Sequence, residues 1–184
     1  MKMSSRKMLG PATRRWCGIC KWFLALGMVA IFVLVIYTNI PETAVGAYWE
    51  VLQPEIQAVT QPTPLKMFLI HAVIILGLAA QFAIGLAMFR LFHVFQYEDV
   101  FGDKVLKTLR FLGLTIFISA IWSLIQPTLV PLLMTLDNPP GARTVSVALS
   151  SNTLILMITG AMVMIVGQVM MVGAEAVDEN RQFV

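Results

Sequence analysis

Four long stretches of this 184-residue chain contain no charged side chain, and they limit its fold more than any other feature. The uncharged runs cover residues 22–40, 67–89, 111–136 and 144–174. A helix needs about 20 mainly apolar residues to cross the hydrocarbon core of a bilayer, which is about 30 Å thick. Every run is long enough, and charged residues make up 12% of the chain against about 25% in soluble domains. The sequence therefore predicts an all-α, four-span transmembrane helix bundle.

Two details set the limits of the predicted spans. Residues 144–152 are polar enough to precede the last span, and Pro127 and Pro131 lack the backbone N–H that a continuous helix uses. We therefore predict that the third helix ends near Gln126. The predicted spans lie near 22–40, 66–92, 104–126 and 153–174, with outer loops at 41–65 and 137–152, an inner loop at 93–103 and a tail at 175–184.

The distribution of lysine and arginine predicts the orientation, because short cytoplasmic segments are enriched in these residues. Residues 1–21 carry six cations and no acid, whereas 41–65 carries Glu42, Glu50 and Glu55 and no cation. We predict a multi-pass protein of the bacterial inner membrane with both termini in the cytoplasm. The alternative for the first span is a cleaved signal peptide, but its apolar run exceeds the usual ~7–15 residues. An uncleaved anchor is the favoured interpretation.

The first outer loop has its own helical pattern. Apolar residues recur at intervals of four, three, four and three, as expected for one face of a helix; they are Val45, Trp49, Leu52, Ile56 and Val59. Pro54 excludes one straight helix but suits the first turn of a second. We predict one or two short interfacial helices on the outer membrane surface.

Motifs of catalysis and cofactor binding are missing from the sequence. It contains no GxGxxG, phosphate-binding loop or HExxH, and the Cys17–Cys20 pair has no second pair with which to complete a zinc site. Two small residues at a helix entrance are the simpler interpretation of these cysteines. We predict no enzyme activity, cofactor or metal. The net charge of +3 is concentrated at the amino terminus, which favours a membrane over nucleic acid.

Three polar residues of the uncharged runs are candidates for contacts within the membrane. His71 is the only side chain inside a run that ordinarily titrates near neutral pH, but it is near Lys66 and hence at interface depth. Gln81 and Gln168 lie deeper, and we predict that each faces another helix. Small residues recur every seven positions in the last span, at Thr153, Gly160, Gly167 and Ala174. Packing within the monomer is the favoured use of this stripe, and a seam for a partner is the alternative.

The inner loop and tail hold the most distinctive charges. We predict contact with a partner or lipid by Glu98, Asp99, Lys104, Lys107, Arg110, Asp178 and Glu179. Within the loop, Asp103 is predicted to cap the third helix and to pair with Lys107 one turn later. The anionic inner leaflet attracts the loop cations. Glu98 and Asp99 are the two charges that membrane proximity does not explain.

The same loop resembles a bacterial membrane-protein family, the domain of unknown function numbered 2975. The matching positions are Leu91, Phe92, Phe95, Val100, Phe101, Leu109, Arg110 and Gly113, and the ending AVDENRQFV is also similar. Glu98 departs from the pattern, where relatives commonly have glycine. The resemblance implies the four-helix layout and hints at regulation through a cytoplasmic partner. It implies no activity, substrate or cofactor.

Our leading functional hypothesis is a small membrane protein of the lipid bilayer with an interaction or regulatory role. Its inner loop and tail would contact a cytoplasmic protein partner or anionic lipid, with no direct binding of nucleic acid. The alternative is a small-solute carrier or channel, formed by one chain or by a homo-oligomer, in which His71, Gln81 and Gln168 line the route. A lipid-modifying enzyme has little support from the residues.

Overall fold

The computed structural model describes residues 9–37, 40–98, 102–145 and 150–182, with backbone alone at 40, 41, 44, 51 and 176–182. These residues form helices with no strand among them. The helices are α1 (Pro11–Tyr37), α2 (Ile40–Val51), α3 (Pro54–Val59), α4 (Pro64–Tyr97), α5 (Asp103–Met134) and α6 (Ser151–Gln182).

Four of the helices are long and apolar enough to cross a membrane. They are α1, α4, α5 and the part of α6 up to Glu175, with lengths of 27, 34, 32 and 25 residues. The prediction of an all-α, four-span bundle is confirmed. All four helices extend beyond their uncharged runs, and α1 begins at Pro11 within the basic segment.

The spanning helices pack in the order α1, α4, α5, α6, each mainly against its neighbour in that series. The most extensive contact joins α5 to α6, and α4 to α5 is the next. Outer faces of α1 and α6 stay exposed, with large apolar side chains such as Trp22, Phe23, Ile158 and Val169 more than half exposed. Surfaces of this kind suit lipid or a neighbouring helix.

The α5–α6 contact depends on glycine. A Cβ atom at Gly113 would lie 2.8 Å from the Cα of Met164 and 2.9 Å from the carbonyl oxygen of Gly160. A Cβ atom at Gly160 would lie 2.7 Å from the backbone nitrogen of Phe117. Small residues allow two backbones to approach this closely, as in other membrane helix pairs. Thr153, Gly160 and Gly167 are buried, so the favoured interpretation, packing within the monomer, is confirmed for these three positions.

The prediction that the third helix ends near Gln126 is wrong. Helix α5 continues through Pro127 and Pro131 to Met134. Each proline removes one N–H donor, but Val130 and Met134 are 0% and 3% exposed in an apolar cluster with Ile70 and Ile74 of α4. The packing of this last part of the helix therefore outweighs the loss of the hydrogen bonds.

The first outer loop forms two short helices, as its apolar spacing predicts. Val45 and Leu52 are buried in the same cluster, and Trp49 and Ile56 pack against it. Val59 differs from the prediction, because it is 46% exposed at the end of α3. Helix α2 lies against α4. It closes one end of the bundle and leaves a cavity beneath it.

Candidate functional site

One end of the bundle gathers most of the cations, and we call it the basic end. It comprises the start of α1, the end of α4, the start of α5 and the last turns of α6. Among residues with described side chains it carries seven cations and three acids; the cations are Arg14, Arg15, Lys21, Arg90, Lys104, Lys107 and Arg110, and the acids are Glu98, Asp103 and Glu175. The opposite end, formed by α2, α3, the start of α4 and residues 135–145, carries Lys66 and Arg143 against Glu42, Glu50, Glu55 and Asp137.

Lys21 connects α1 to α4 at the basic end through a hydrogen bond. Its side chain is 8% exposed, and its Nζ donates a hydrogen bond of 2.8 Å to Oε1 of Gln96. The Gln96 amide in turn donates to the carbonyl oxygen of Arg14 at 3.3 Å. Three aromatic rings lie 5.8–5.9 Å from the ammonium group, those of Trp22, Phe89 and Tyr97. This is within the range of cation–π attraction, so the Lys21 charge is satisfied inside the protein.

Two exposed ion pairs lie at the start of α5. Lys107 Nζ lies 2.7 Å from Asp103 Oδ2, which confirms the predicted i,i+4 pair. Lys104 Nζ lies 2.6 Å from Glu98 Oε1, so Glu98 has a cation partner on the next helix. Gly102 rather than Asp103 occupies the N-cap position of α5, and no side-chain cap bond forms. The predicted capping role of Asp103 is therefore wrong. Asp99, Val100 and Phe101 lie outside the described residues.

Three arginines and Glu175 supply the remaining exposed charge at the basic end. Arg15 of α1, Arg90 of α4 and Arg110 of α5 are exposed and form no ion pair with any residue in the described ranges. The backbone of Arg110 lies against Gly167, which aligns the start of α5 with the second half of α6. Helix α6 continues through Asp178 and Glu179 to Gln182. The side chains of these two tail residues are outside the described set.

The opposite end is held by a buried lysine. Lys66 is 7% exposed, and its Nζ lies 2.8 Å from Asp137 Oδ2 and 3.5 Å from the carbonyl oxygen of Met134. A third contact of 3.4 Å reaches the carbonyl oxygen of Gln61. One ammonium group thus joins the linker before α4 to the end of α5. The partner carboxylate is 62% exposed, so solvent weakens this pair.

Two buried polar side chains extend that connection. Asn138, 3% exposed, donates to the hydroxyl of Thr60 at 2.8 Å and to the carbonyl oxygen of Ala142 at 3.1 Å. The Thr135 hydroxyl donates to the carbonyl oxygen of Pro131 at 2.9 Å and accepts from the N–H of Thr144 at 3.0 Å. Buried polar groups need such partners. The turn after α5 is therefore held in one conformation.

Tyr48 connects α2 to the bundle. Burial raises the pKa of the Tyr48 phenol above its ordinary value, and a hydrogen bond with the Gln126 side chain partly opposes that rise. The phenol therefore stays neutral at physiological pH. It acts as a polar contact between α2 and α5.

The three predicted intramembrane polar residues do not meet. The Nδ1 atom of the half-buried His71 lies 2.6 Å from the carbonyl oxygen of Met67. Because a carbonyl only accepts, this nitrogen carries the proton. Gln81 lines a cavity of about 260 Å³ between α1 and α4, to which neither His71 nor Gln168 contributes. Gln81 and Gln168 are both exposed on the single chain, and the prediction that each faces another helix stays a prediction for Gln168.

The cysteines form no recognisable centre. Cys17 is buried and Cys20 half-buried, and both are free thiols one helical turn apart on α1. Within the described ranges, no group of three or more histidine, cysteine, aspartate or glutamate side chains is placed to hold a metal ion.

Sequence reasoning missed the structural use of two lysines. In the sequence, Lys21 is one of several cations before the first span, and Lys66 only marks the start of the second span. No role is predicted for Gln96 or Asn138. Their partners are distant in sequence, by 75 residues for Lys21 and Gln96 and by 78 for Asn138 and Thr60. Only the polarity of Asn138 within a Pro-rich turn offered a local signal.

The fold and these two ends define an all-α protein with four helices able to span a membrane. Comparison with protein-family models, curated proteins and solved structures finds no match to the chain. The resemblance to the domain of unknown function 2975 therefore stays a prediction.

Proposed function

We propose that the chain is a non-catalytic protein of the bacterial inner membrane that docks an acidic cytoplasmic protein at its basic end. The observation that carries the proposal is the set of three exposed arginines without ion pairs, Arg15, Arg90 and Arg110. They come from three helices whose ends meet at that face. Exposed guanidinium groups suit carboxylate partners, which they bind through two parallel hydrogen bonds.

The charge asymmetry supports a cytoplasmic position for this face. Seven cations and three acids at the basic end, against two cations and four acids at the other, follow the enrichment of lysine and arginine in cytoplasmic segments. In this orientation the three arginines face the cytoplasm, and the end of the bundle that contains α2 lies on the outside. The backbone of α6 brings Asp178 and Glu179 to the same end of the bundle.

Solute transport has less support than docking. The Nδ1 N–H of His71 donates a hydrogen bond within its own helix. Neither His71 nor Gln168 lines the cavity that Gln81 lines. The seam between α5 and α6 is closed by backbone contact at Gly113 and Gly160. The side chains of His71, Gln81 and Gln168 therefore do not line a common pathway for a solute.

A second copy of the chain is the other candidate partner. Gln168 is exposed on the outer face of α6, where an amide in hydrocarbon gains from a hydrogen bond to another helix. Light scattering of the solubilised protein measures the number of chains in each assembly. A dimer that the Gln168→Leu change converts to a monomer supports this candidate, and a monomeric wild type excludes it.

The docking proposal predicts a specific loss of binding. The full-length tagged chain is purified in mild detergent as wild type and as the variant Arg15→Gln/Arg90→Gln/Arg110→Gln. Since each cation near a charged surface contributes about 1 kcal/mol, recovery of an acidic protein partner is expected to fall at least tenfold. Quantitative mass spectrometry of the co-purified proteins measures the change.

Arg143→Gln is the matched control, because Arg143 is also exposed but lies at the opposite end. It is expected to leave partner recovery unchanged. Equal recovery by wild type and the triple variant contradicts the proposal. So does a triple variant that loses only bound anionic phospholipid, since the face would then serve lipid contact.

A further inference from the structure

The cavity beneath α2, here named the α2 cavity, has the size and lining of a small-molecule site. Its volume is about 410 Å³, within the ~300–1,000 Å³ typical of ligand pockets. Helix α2 forms one wall, the linker before α4 forms the rim, and α4 and α5 form the floor. Met67, Ile70 and Met134 make that floor apolar. The cavity is partly open, so a ligand reaches it from the bundle surface.

The charge that remains available in the α2 cavity is negative. Lys66 lines it, but its ammonium group already contacts Asp137 and two carbonyl oxygens. Glu42 and Glu50 also line the cavity, and both are exposed and form no ion pair with any residue that the structure describes. Two uncompensated carboxylates from one helix are therefore available to a bound cation.

An aromatic ring lies between those carboxylates in sequence. Trp49 is half-buried, lines the cavity and packs against the apolar cluster below it. The face of a tryptophan attracts cations more strongly than other aromatic side chains, and it also accepts apolar surface. A ligand that combines positive charge with an apolar body would use the ring, the carboxylates and the methionine floor together.

We propose that the α2 cavity binds a lipophilic monocation, such as a quaternary ammonium or phosphonium ion. The apolar body would contact Met67, Ile70 and Met134, and the charge would lie near Trp49 and one of the two glutamates. An amphiphilic anion of the same size fits less well, because Lys66 is already paired and both free charges are negative. This site is independent of the docking face, which lies at the other end of the bundle.

The test measures binding of tetraphenylphosphonium to the full chain in nanodiscs of neutral phosphatidylcholine. Equilibrium dialysis of the radiolabelled ion, corrected with empty nanodiscs, gives the Kd. Wild type is expected to bind saturably, and Glu42→Gln/Glu50→Gln is expected to raise the Kd at least about fivefold, because a carboxylate close to the bound charge contributes an attraction of about 1 kcal/mol even in water. Trp49→Leu is expected to weaken binding as well.

Glu55→Gln is the matched control, since Glu55 is an acid of the neighbouring helix α3 that does not line the cavity. Its Kd is expected to equal that of the wild type. Size-exclusion profiles of all variants verify that they are folded. Three outcomes overturn the proposal: no saturable binding to wild type, equal affinity for wild type and the double glutamine variant, or stronger binding of the anion dodecanoate than of the cation.

Discussion

Leucine at position 113 is expected to destroy the packing of α5 on α6. The added Cβ would meet backbone atoms of Met164 and Gly160, which cannot rotate away as a flexible side chain does. Overpacking costs about 1–3 kcal/mol where neighbours can adjust. We therefore expect Gly113→Leu to lower the free energy of unfolding by at least about 3 kcal/mol, or to yield no monodisperse protein.

Gly173→Leu provides the comparison, because Gly173 is also in α6 and nothing lies within 4 Å of a Cβ built there. It is expected to leave stability unchanged or to raise it by up to about 1 kcal/mol, because leucine favours a helix more than glycine does and no neighbour is displaced. Thermal unfolding of both variants in one detergent measures the difference. Equal melting temperatures for wild type and Gly113→Leu are incompatible with the close helix contact.

Charge reversal at Lys66 is the second change with a large expected effect. In Lys66→Glu a buried carboxylate would face Asp137 and the carbonyl oxygens of Gln61 and Met134. Loss of one partner from a buried ion pair costs about 3–5 kcal/mol. Because Asp137 is 62% exposed, we expect the lower value, about 3 kcal/mol, from denaturant unfolding.

Two further variants separate charge from packing at this position. Lys66→Met keeps the apolar stem and removes the charge, so its cost is expected to be smaller than that of Lys66→Glu. The double change Lys66→Glu/Asp137→Lys restores opposite charges and is expected to recover part of the loss. A double variant no more stable than Lys66→Glu alone would show that the ion pair has no stabilising role.

The number and type of the long helices could be predicted from the sequence, because hydrocarbon excludes charge over a fixed thickness. The paired helices α2 and α3 could be predicted for a similar reason, since Val45, Leu52 and Ile56 must share a buried face. The end of α5 could not be predicted from the sequence. Local proline chemistry predicted a break near Gln126, and burial of Val130 and Met134 against α4 outweighed it. That burial depends on contacts that are not local in sequence.

The candidate sites were harder to predict than the helices. Lys104, Lys107 and Arg110 were identified from their position, but the structure shows that two of these cations are paired with Glu98 and Asp103. Arg15 lies at the same end of the bundle as Arg90 because α1 packs against the end of α4, through Lys21 and Gln96. The α2 cavity combines residues of four segments, and no spacing in the chain indicates it.

Gly113 is important both in the sequence resemblance and in the structure. It belongs to the pattern that resembles the domain of unknown function 2975, and the structure supplies a physical reason for glycine there, since Met164 and Gly160 leave no room for a side chain. Glu98, the departure from that pattern, has a local partner in Lys104.

Labelling of single cysteines from each side of the membrane tests the central claim, that the basic end faces the cytoplasm and the α2 end faces outward. Cys17→Ser/Cys20→Ser is the background, and Glu55→Cys and Lys107→Cys place one exposed thiol at each end. A membrane-impermeant maleimide is expected to label Glu55→Cys in intact spheroplasts and Lys107→Cys only in inside-out vesicles. Labelling of Lys107→Cys in intact spheroplasts would contradict the orientation, and with it the cytoplasmic docking face.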